Sequence, residues 1–421
     1  MGRVVLACLA LLLAAPVAVA AVDVAEQVPY RVDGSNQAGW WRPVDELNGS
    51  VYVAYNAWGG PGPTNGGAND THTVYIGRKA PDGTWTRGCL PGAGGACAVF
   101  PDDIGHKQPS IAVDGDGFVH AFVSMHGDNW IYYRSARAGD VTSMVNRSAT
   151  MPDQGDEYTY PNLTRVDGGD VYLVVRAYPE GRLYRWDNAA DRWTRVAVFA
   201  RSAGYVAYPD DIAGDGDGNL HLSWEWAHGG ADSLRHLGSY LRYDLSSGRF
   251  HNAAGAVVAV PAGVTSPVVY QPVEGSEDQT DRDDATGPPG VQSAKLALSN
   301  GKPVLAYRYR GVRGGRWQVR VAEWTGAAWQ RRTVYAGAYD THAAIDVTAW
   351  GGGLRVYYAK KATASGDQAF AASPSGSAWA ETPLLPGVNV QRLAVIRRAG
   401  TDHLYLTAPT DHQLHVRVNT W

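Results

Sequence analysis

Apolar and polar residues alternate in short runs along most of this chain, and the runs break at clusters of Gly, Asp, Asn and Pro. Period-two runs bounded by turn formers predict strands that bury one face. Two adjoining examples are clear. Gln108–Val113, the turn Asp114-Gly115-Asp116-Gly117 and Phe118–Met125 predict one hairpin. A strand from Tyr160, the turn Asp167-Gly168-Gly169-Asp170 and the run Val171–Arg176 predict the next. Outside the N-terminus no long stretch carries the period of an amphipathic helix.

The hairpin recurs as the core of a longer unit: an apolar strand, a Gly/Asp turn, an aromatic-rich strand, then a third strand and a turn toward Trp. First strands are expected to begin near Gly39, Gln108, Tyr160, Tyr208, Val291, His342 and Gln391. The interval from Tyr208 to Val291 is the longest, and it contains the Asp-, Glu-, Gly- and Pro-rich stretch 271–290, which reads equally well as a mobile surface loop over a binding face or as a disordered insertion. Seven such units predict an all-β fold, a seven-bladed β-propeller. The last unit has room for three strands, Gln391–Ile396, His403–Thr407 and Gln413–Val418. Val22–Tyr30 is expected to supply its fourth and close the ring, which leaves no free edge. A β-sandwich or a pair of β-domains is the rival architecture. The turns ending in Trp85, Trp193, Trp329 and Trp379 look like degraded Asp-box turns whose Trp packs between blades.

Composition narrows the picture. The 421 residues include 50 Gly, 23 Tyr and 15 Trp, a balance that favours strands and turns. Residues 1–20 read as a secretory signal: Arg3, the apolar run Val4–Ala15, and the small residues Ala18-Val19-Ala20 at the cleavage site. The apolar run is short for a membrane span. A mature chain of residues 21–421 is therefore expected as one secreted propeller domain, a monomer with no membrane span. Its two cysteines, Cys89 and Cys97, flank a Pro/Gly/Ala loop and are expected to form a disulfide. The net charge of −4, without a basic stripe, argues against nucleic acid as a partner but leaves an anionic substrate open. Asp114–Gly117 and Asp215–Gly218 lack the further acidic ligands of a calcium loop and read as tight turns.

Antiparallel pairing about each turn gathers candidate chemistry at the open ends of the hairpins. It sets His106 opposite His126, and Tyr160 opposite Arg176. Less firmly registered pairs are Tyr208 with Glu225 and His342 with Lys360, and the first unit adds Trp40 and Trp41. In a propeller these ends share one face. A lone histidine at a strand end is usually structural, Tyr160 alone would be an interblade aromatic, and Arg176 could simply pair with a carboxylate. Their joint placement is what marks a functional cluster: two imidazoles and a phenol for acid–base work beside a fixed cation.

Residues 102–135, with Gly105-His106-Lys107-Gln108-Pro109 and Met125-His126-Gly127-Asp128, resemble the BNR-repeat propeller family that contains ulvan lyases. The resemblance continues through Tyr158-Thr159-Tyr160-Pro161, Arg176 and Asp217-Gly218-Asn219-Leu220-His221-Leu222, and more loosely to about Arg310. It implies a polysaccharide lyase acting on an anionic, uronate-containing chain of the rhamnose–glucuronate or iduronate kind. His106 and Tyr160 match the family's acid–base positions, Arg176 would offset the uronate carboxylate, and His126 would bind the carboxylate or orient the pair. Tyr208, Trp40, Glu225, His342 and Lys360 would contact substrate. No cofactor is required for that chemistry. Some members hold a structural zinc through His and Cys; here the cysteines are committed to a disulfide, and His221, His228, His236 and His251 lack ligand spacing, so a structural zinc or calcium stays open. Glu225–Gly230 lacks an arginine that the family pattern often places there.

Two other functions fit the scaffold. A glycoside hydrolase releasing rhamnose from glucuronate would ordinarily need two carboxylates, and the predicted face offers only Glu225. A non-catalytic carbohydrate-binding propeller would use Trp40, Trp41 and Trp226 as stacking platforms. A sialidase is disfavoured, because no arginine triad falls on the open-end positions.

Overall fold

The computed structural model describes residues 24–36, 40–59, 71–101, 106–228, 235–268, 270, 290–310, 317–339, 344–363, 366–398 and 400–421. The expected signal over 1–20, His342, and all but the last residue of the 271–290 loop lie outside them.

Seven antiparallel sheets form, each a meander from an inner strand outward. The inner strands are Val44–Leu47, Ser110–Val113, Tyr158–Arg165, Tyr205–Gly214, Gly290–Ser299, Ile345–Trp350 and Arg392–Arg398. Each touches the next round a closed ring, and Val44–Leu47 touches Arg392–Arg398. The chain is a seven-bladed β-propeller, with helical structure among the described residues limited to three single 3-10 turns. Five of the seven expected strand starts fall within three residues of those observed, and that of blade one lies five residues early. The expectation for blade six, His342, lies outside the described residues. Blade seven is completed as expected: Val24–Gln27 pairs antiparallel with Gln413–Thr420, Val24 opposite Val418.

The blades are joined by polar links as well as apolar packing. Buried carboxylates on three inner strands accept a backbone N–H from the following blade: Asp45 from Val113 at 2.8 Å, Asp211 from Leu296 at 2.9 Å and Asp346 from Val395 at 2.6 Å. Burial raises the Asp45 carboxyl, but Arg398, Arg165 and two backbone donors outweigh it and hold it below the usual range. Burial pushes Asp346 up to about 7, with Lys295 nearby opposing and Asp211 adding to the rise. Arg42 spans the centre of the ring, donating to Asp211 at 2.6 Å and to the carbonyls of Leu163 and Ile212.

The Trp-bearing turns act between blades, as expected. Trp193 of blade three lies 5.8 Å from His120 and 5.6 Å from Phe122, both in blade two. Trp329 of blade five meets Tyr240 of blade four at 5.8 Å. Trp85 of blade one donates to Glu26 of the closing strand at 2.7 Å. The Asp114 and Asp215 turns are filled by protein donors: the backbone of Phe118 and Asn219, and the imidazoles of His120 and His221. Cys89 and Cys97 form a disulfide across a Cα–Cα distance of 5.6 Å.

Candidate active site

A proline pair stands at or near the start of the inner strands of blades two, three and four: Gln108-Pro109 just before Ser110, and Tyr160-Pro161 and Tyr208-Pro209 within the first five residues of theirs. Proline has no N–H to give the ladder, so an inner-strand proline marks a bulge or a strand end. The register shifts between Thr159 and Asn162 in blade three, and between Pro209 and Asp211 in blade four. At the first of these shifts Tyr160 has φ of +58°, a strained backbone for an aromatic residue. Asn162 holds the shifted chain, donating to the carbonyls of Trp40 at 3.1 Å and Asp210 at 2.9 Å.

That bulge alters one expected pair. Arg176 lies opposite Thr159, not Tyr160. The extra residue turns the Tyr160 ring inward, and the guanidinium carbon of Arg176 still lies 4.8 Å from its centroid and 4.7 Å from that of Tyr208. The expected opposition of Tyr208 and Glu225 holds as a strand pair.

His106 and His126 face each other as expected, their rings parallel within 7° and 4.2 Å apart. His126, however, has left its hairpin. The hairpin ladder stops at Phe122, and His126–Asp128 pairs with the first strand of blade three, His126 opposite Thr159. Ser124 and Gly127, both with positive φ, make that turn. Both imidazoles are about 6 Å from Tyr160, at 6.4 and 6.1 Å. The histidines are half-buried, whereas Tyr160, Tyr208 and Arg176 are 2, 1 and 5% exposed. The imidazole pair is thus the accessible side of the cluster, and the phenols and guanidinium form its floor.

Four residues without an assigned role in the sequence reading hold these groups in place. The Thr159 hydroxyl accepts from Arg176 Nη2 at 3.0 Å and from the Gly127 N–H at 2.8 Å, so one oxygen ties the cation to the His126 strand. Asp128 Oδ2 accepts from the His126 N–H at 2.8 Å and from Lys107 Nζ at 3.0 Å, linking the neighbours of both histidines. Asn162 is the fourth. Among the described residues, Nε and Nη1 of Arg176 have no hydrogen-bond partner although they are buried. A buried cation with two donors uncommitted is matched to an anionic group.

Residues 50–336 match the family model described as "BNR repeat-containing family member". The chain belongs to that family. Among solved structures, this BNR-repeat propeller is similar to a PL25 ulvan lyase bound to -[GlcA(1-4)Rha3S]-. The TM-score is 0.67 at 16% identity, over 93% of this chain and 95% of the other. It is also similar to the polysaccharide lyase Uly1, with a TM-score of 0.63 at 14% identity, over 91% of this chain and 90% of the other. These likenesses establish a shared fold. A comparison with curated protein sequences finds no match.

Other expected site residues of the BNR-repeat propeller lie elsewhere. Glu225 is fully buried on the strand beside Tyr208, so its carboxylate has no exposed surface to offer a sugar. Lys360 is drawn outward by Glu381 on the outermost strand of blade six, at 2.6 Å, and lies over the rings of Tyr335 and Phe370. Trp41 and Trp226 are 1 and 0% exposed and cannot act as stacking platforms. Trp40 is mostly covered and packs on Tyr160 at 5.3 Å. Among the described residues no group of three or more His, Cys, Asp or Glu side chains is arranged to hold a metal ion. Among them, too, no helix is long and apolar enough to cross a membrane.

Proposed function

We propose that this protein is an exported polysaccharide lyase that cleaves beside a uronate by β-elimination, on a rhamnose–uronate polymer of the ulvan kind. The observation that carries the reading is the cluster itself. A stacked imidazole pair lies about 6 Å from the Tyr160 phenol, and against that phenol sits a buried arginine with two donors that have no partner among the described residues.

The reaction breaks the C5–H and C4–O bonds of the uronate and forms a C4–C5 double bond. The C5 proton is poorly acidic while the adjacent carboxylate is charged. Arg176 meets that carboxylate and offsets the charge of the developing enolate. His106 and Tyr160 form the acid–base pair: one takes the C5 proton and the other protonates the departing sugar oxygen. The stereochemistry of the uronate decides which does which. His126, stacked on His106 and anchored through Asp128, fixes the plane of its partner.

A hydrolase is less well supported. Glycoside hydrolysis needs two carboxyl groups flanking the bond, whereas at this cluster Glu225 is fully buried and Asp128 is engaged by the His126 N–H and Lys107. The test is ultraviolet absorbance during incubation with ulvan, gum arabic and glycosaminoglycans. A rise from the conjugated uronate supports elimination. Released rhamnose without that rise would overturn it in favour of hydrolysis.

A further inference from the structure

A second feature of the same face lies at the seam of blades three and four. A cavity of about 590 Å³ is lined by Tyr178, Pro179, Arg201, Ser202, Tyr205 and Val206, among others. This volume is in the range of small-ligand pockets. Tyr178 and Pro179 form the tip of the hairpin that carries Arg176, since Ala177 pairs with Glu180. Tyr178 therefore lies two residues beyond Arg176, roughly 7 Å along an extended strand. The far wall is the start of the blade-four inner strand, tied to the hairpin tip by the Ala207 N–H donating to the Pro179 carbonyl at 2.9 Å. Val206 belongs to both places: it lines the cavity and also packs with Trp40, Trp41, Tyr160 and Tyr208. The cavity and the candidate active site thus share a wall.

The surface chemistry of the cavity differs from that of the site. Tyr178 is 58% exposed, although it sits on a face whose other aromatics around Tyr160 are buried. Arg201 is the one charged side chain lining the cavity among the described residues. Its side chain is 56% exposed, and Nη1 is held at 3.0 Å by Glu180, which Arg182 also engages. A flat ring with a solvent-facing surface fits the apolar C–H face of a pyranose, and a planar guanidinium beside it fits a carboxylate or a sulfate.

We propose that this cavity is a distal subsite for a neighbouring sugar of an anionic polysaccharide, with Tyr178 as its stacking platform and Arg201 as the partner of that sugar's anionic group. The proposal rests on the lyase reading for the identity of the polymer, but its contacts are independent of turnover. It predicts that the enzyme grips a chain longer than the sugars that react.

The test is affinity electrophoresis in gels cast with ulvan or with desulfated ulvan, run beside steady-state kinetics on the polymer and on its shortest cleavable oligosaccharide. Tyr178→Ala should weaken gel retardation and raise KM on the polymer about tenfold, leaving kcat on the short substrate unchanged. Tyr178→Trp should restore both. Arg201→Ala should weaken retardation in every gel holding the group it binds: in both gels for a carboxylate, in the sulfated gel alone for a sulfate. Equal retardation and equal polymer KM for wild type and Tyr178→Ala would overturn the subsite. Wild-type protein that is retarded without forming unsaturated product would overturn the lyase reading alone, and the variants' mobility would still decide the subsite.

Discussion

Thr159→Val isolates one oxygen at the centre of the candidate site. The exchange keeps shape and removes the hydroxyl that accepts from Arg176 Nη2 and the Gly127 N–H. Thr159 is 1% exposed, so water cannot readily take its place. Each buried donor left without an acceptor costs about 1–3 kcal/mol, and a charged one lies toward the upper end. The summed loss of stability should be about 4 kcal/mol, read from urea denaturation midpoints. The functional loss should be larger than stability alone explains. Arg176 loses the hydroxyl that holds Nη2, and the His126 strand keeps its backbone pairing with blade three but loses the side-chain link at Gly127. Misplacing a charge-stabilising group by about 1 Å costs roughly a hundredfold in rate. That loss should fall on kcat for a uronate polymer under conditions where the variant is fully folded. Thr159→Ser, which keeps the oxygen, should recover most of both losses. A Thr159→Val protein within about 0.5 kcal/mol of wild type, with unchanged kcat, would refute the tethering argument.

Other outcomes follow from the same geometry. His106→Ala and Tyr160→Phe should each abolish product absorbance while leaving the unfolding transition cooperative, and full activity in Tyr160→Phe would remove it from the acid–base pair. Asp346 titrates near 7 in the folded protein against 3.8 for the ordinary carboxyl, chiefly through burial, so between those values the folded state holds a proton that the unfolded state lacks. Its contribution to stability is therefore full below pH 4 and is lost as the pH rises toward 7. The unfolding free energy of Asp346→Asn relative to wild type should grow by on the order of 3 kcal/mol across that window, and a flat difference would show that Asp346 ionises normally. Trp193→Ala should cost about 3–5 kcal/mol by opening the seam between blades two and three, and a loss under about 1 kcal/mol would contradict its packing role. Replacing both Cys89 and Cys97 by Ser should lower stability by about 2–3 kcal/mol, the entropy of a short closed loop, again read by denaturation.

The blades were legible in the sequence because each repeats a local signal, a period-two run with a Gly/Asp turn, and local signals survive without knowledge of neighbours. Pairing about a turn also placed Tyr208 opposite Glu225 and brought His106 to His126. It failed by one residue at Tyr160, where Pro161 forces a bulge that simple counting ignores; the recurring Tyr-Pro pairs at 160–161 and 208–209 were the available warning. Depth was harder to read. Alternation tells which side of a strand a residue faces, but not how far it lies beneath the end of a ring, so Glu225 and Trp226 looked like surface groups. Lys360 was misplaced because its partner, Glu381, lies on a strand two positions outward, which no local pattern reveals. Thr159 and Asp128 were overlooked for a related reason: each works by accepting two hydrogen bonds, one from a segment that no local pattern links to it.

The closing strand has a consequence for how the chain reaches this fold. Val24–Gln27 precedes every other strand of the ring in the chain, and its partner Gln413–Thr420 follows them all. Every other strand in the ring can pair with one made shortly before or after it. The first strand must therefore wait, with its backbone donors and acceptors uncommitted, until six blades are in place. Contacts so distant in sequence form slowly, and an unpaired strand is a template for wrong partners. The vulnerable species during biogenesis is an open ring lacking its seventh blade. A lesion in Gln413–Thr420 should favour aggregation of that open ring over a modest loosening of the native state.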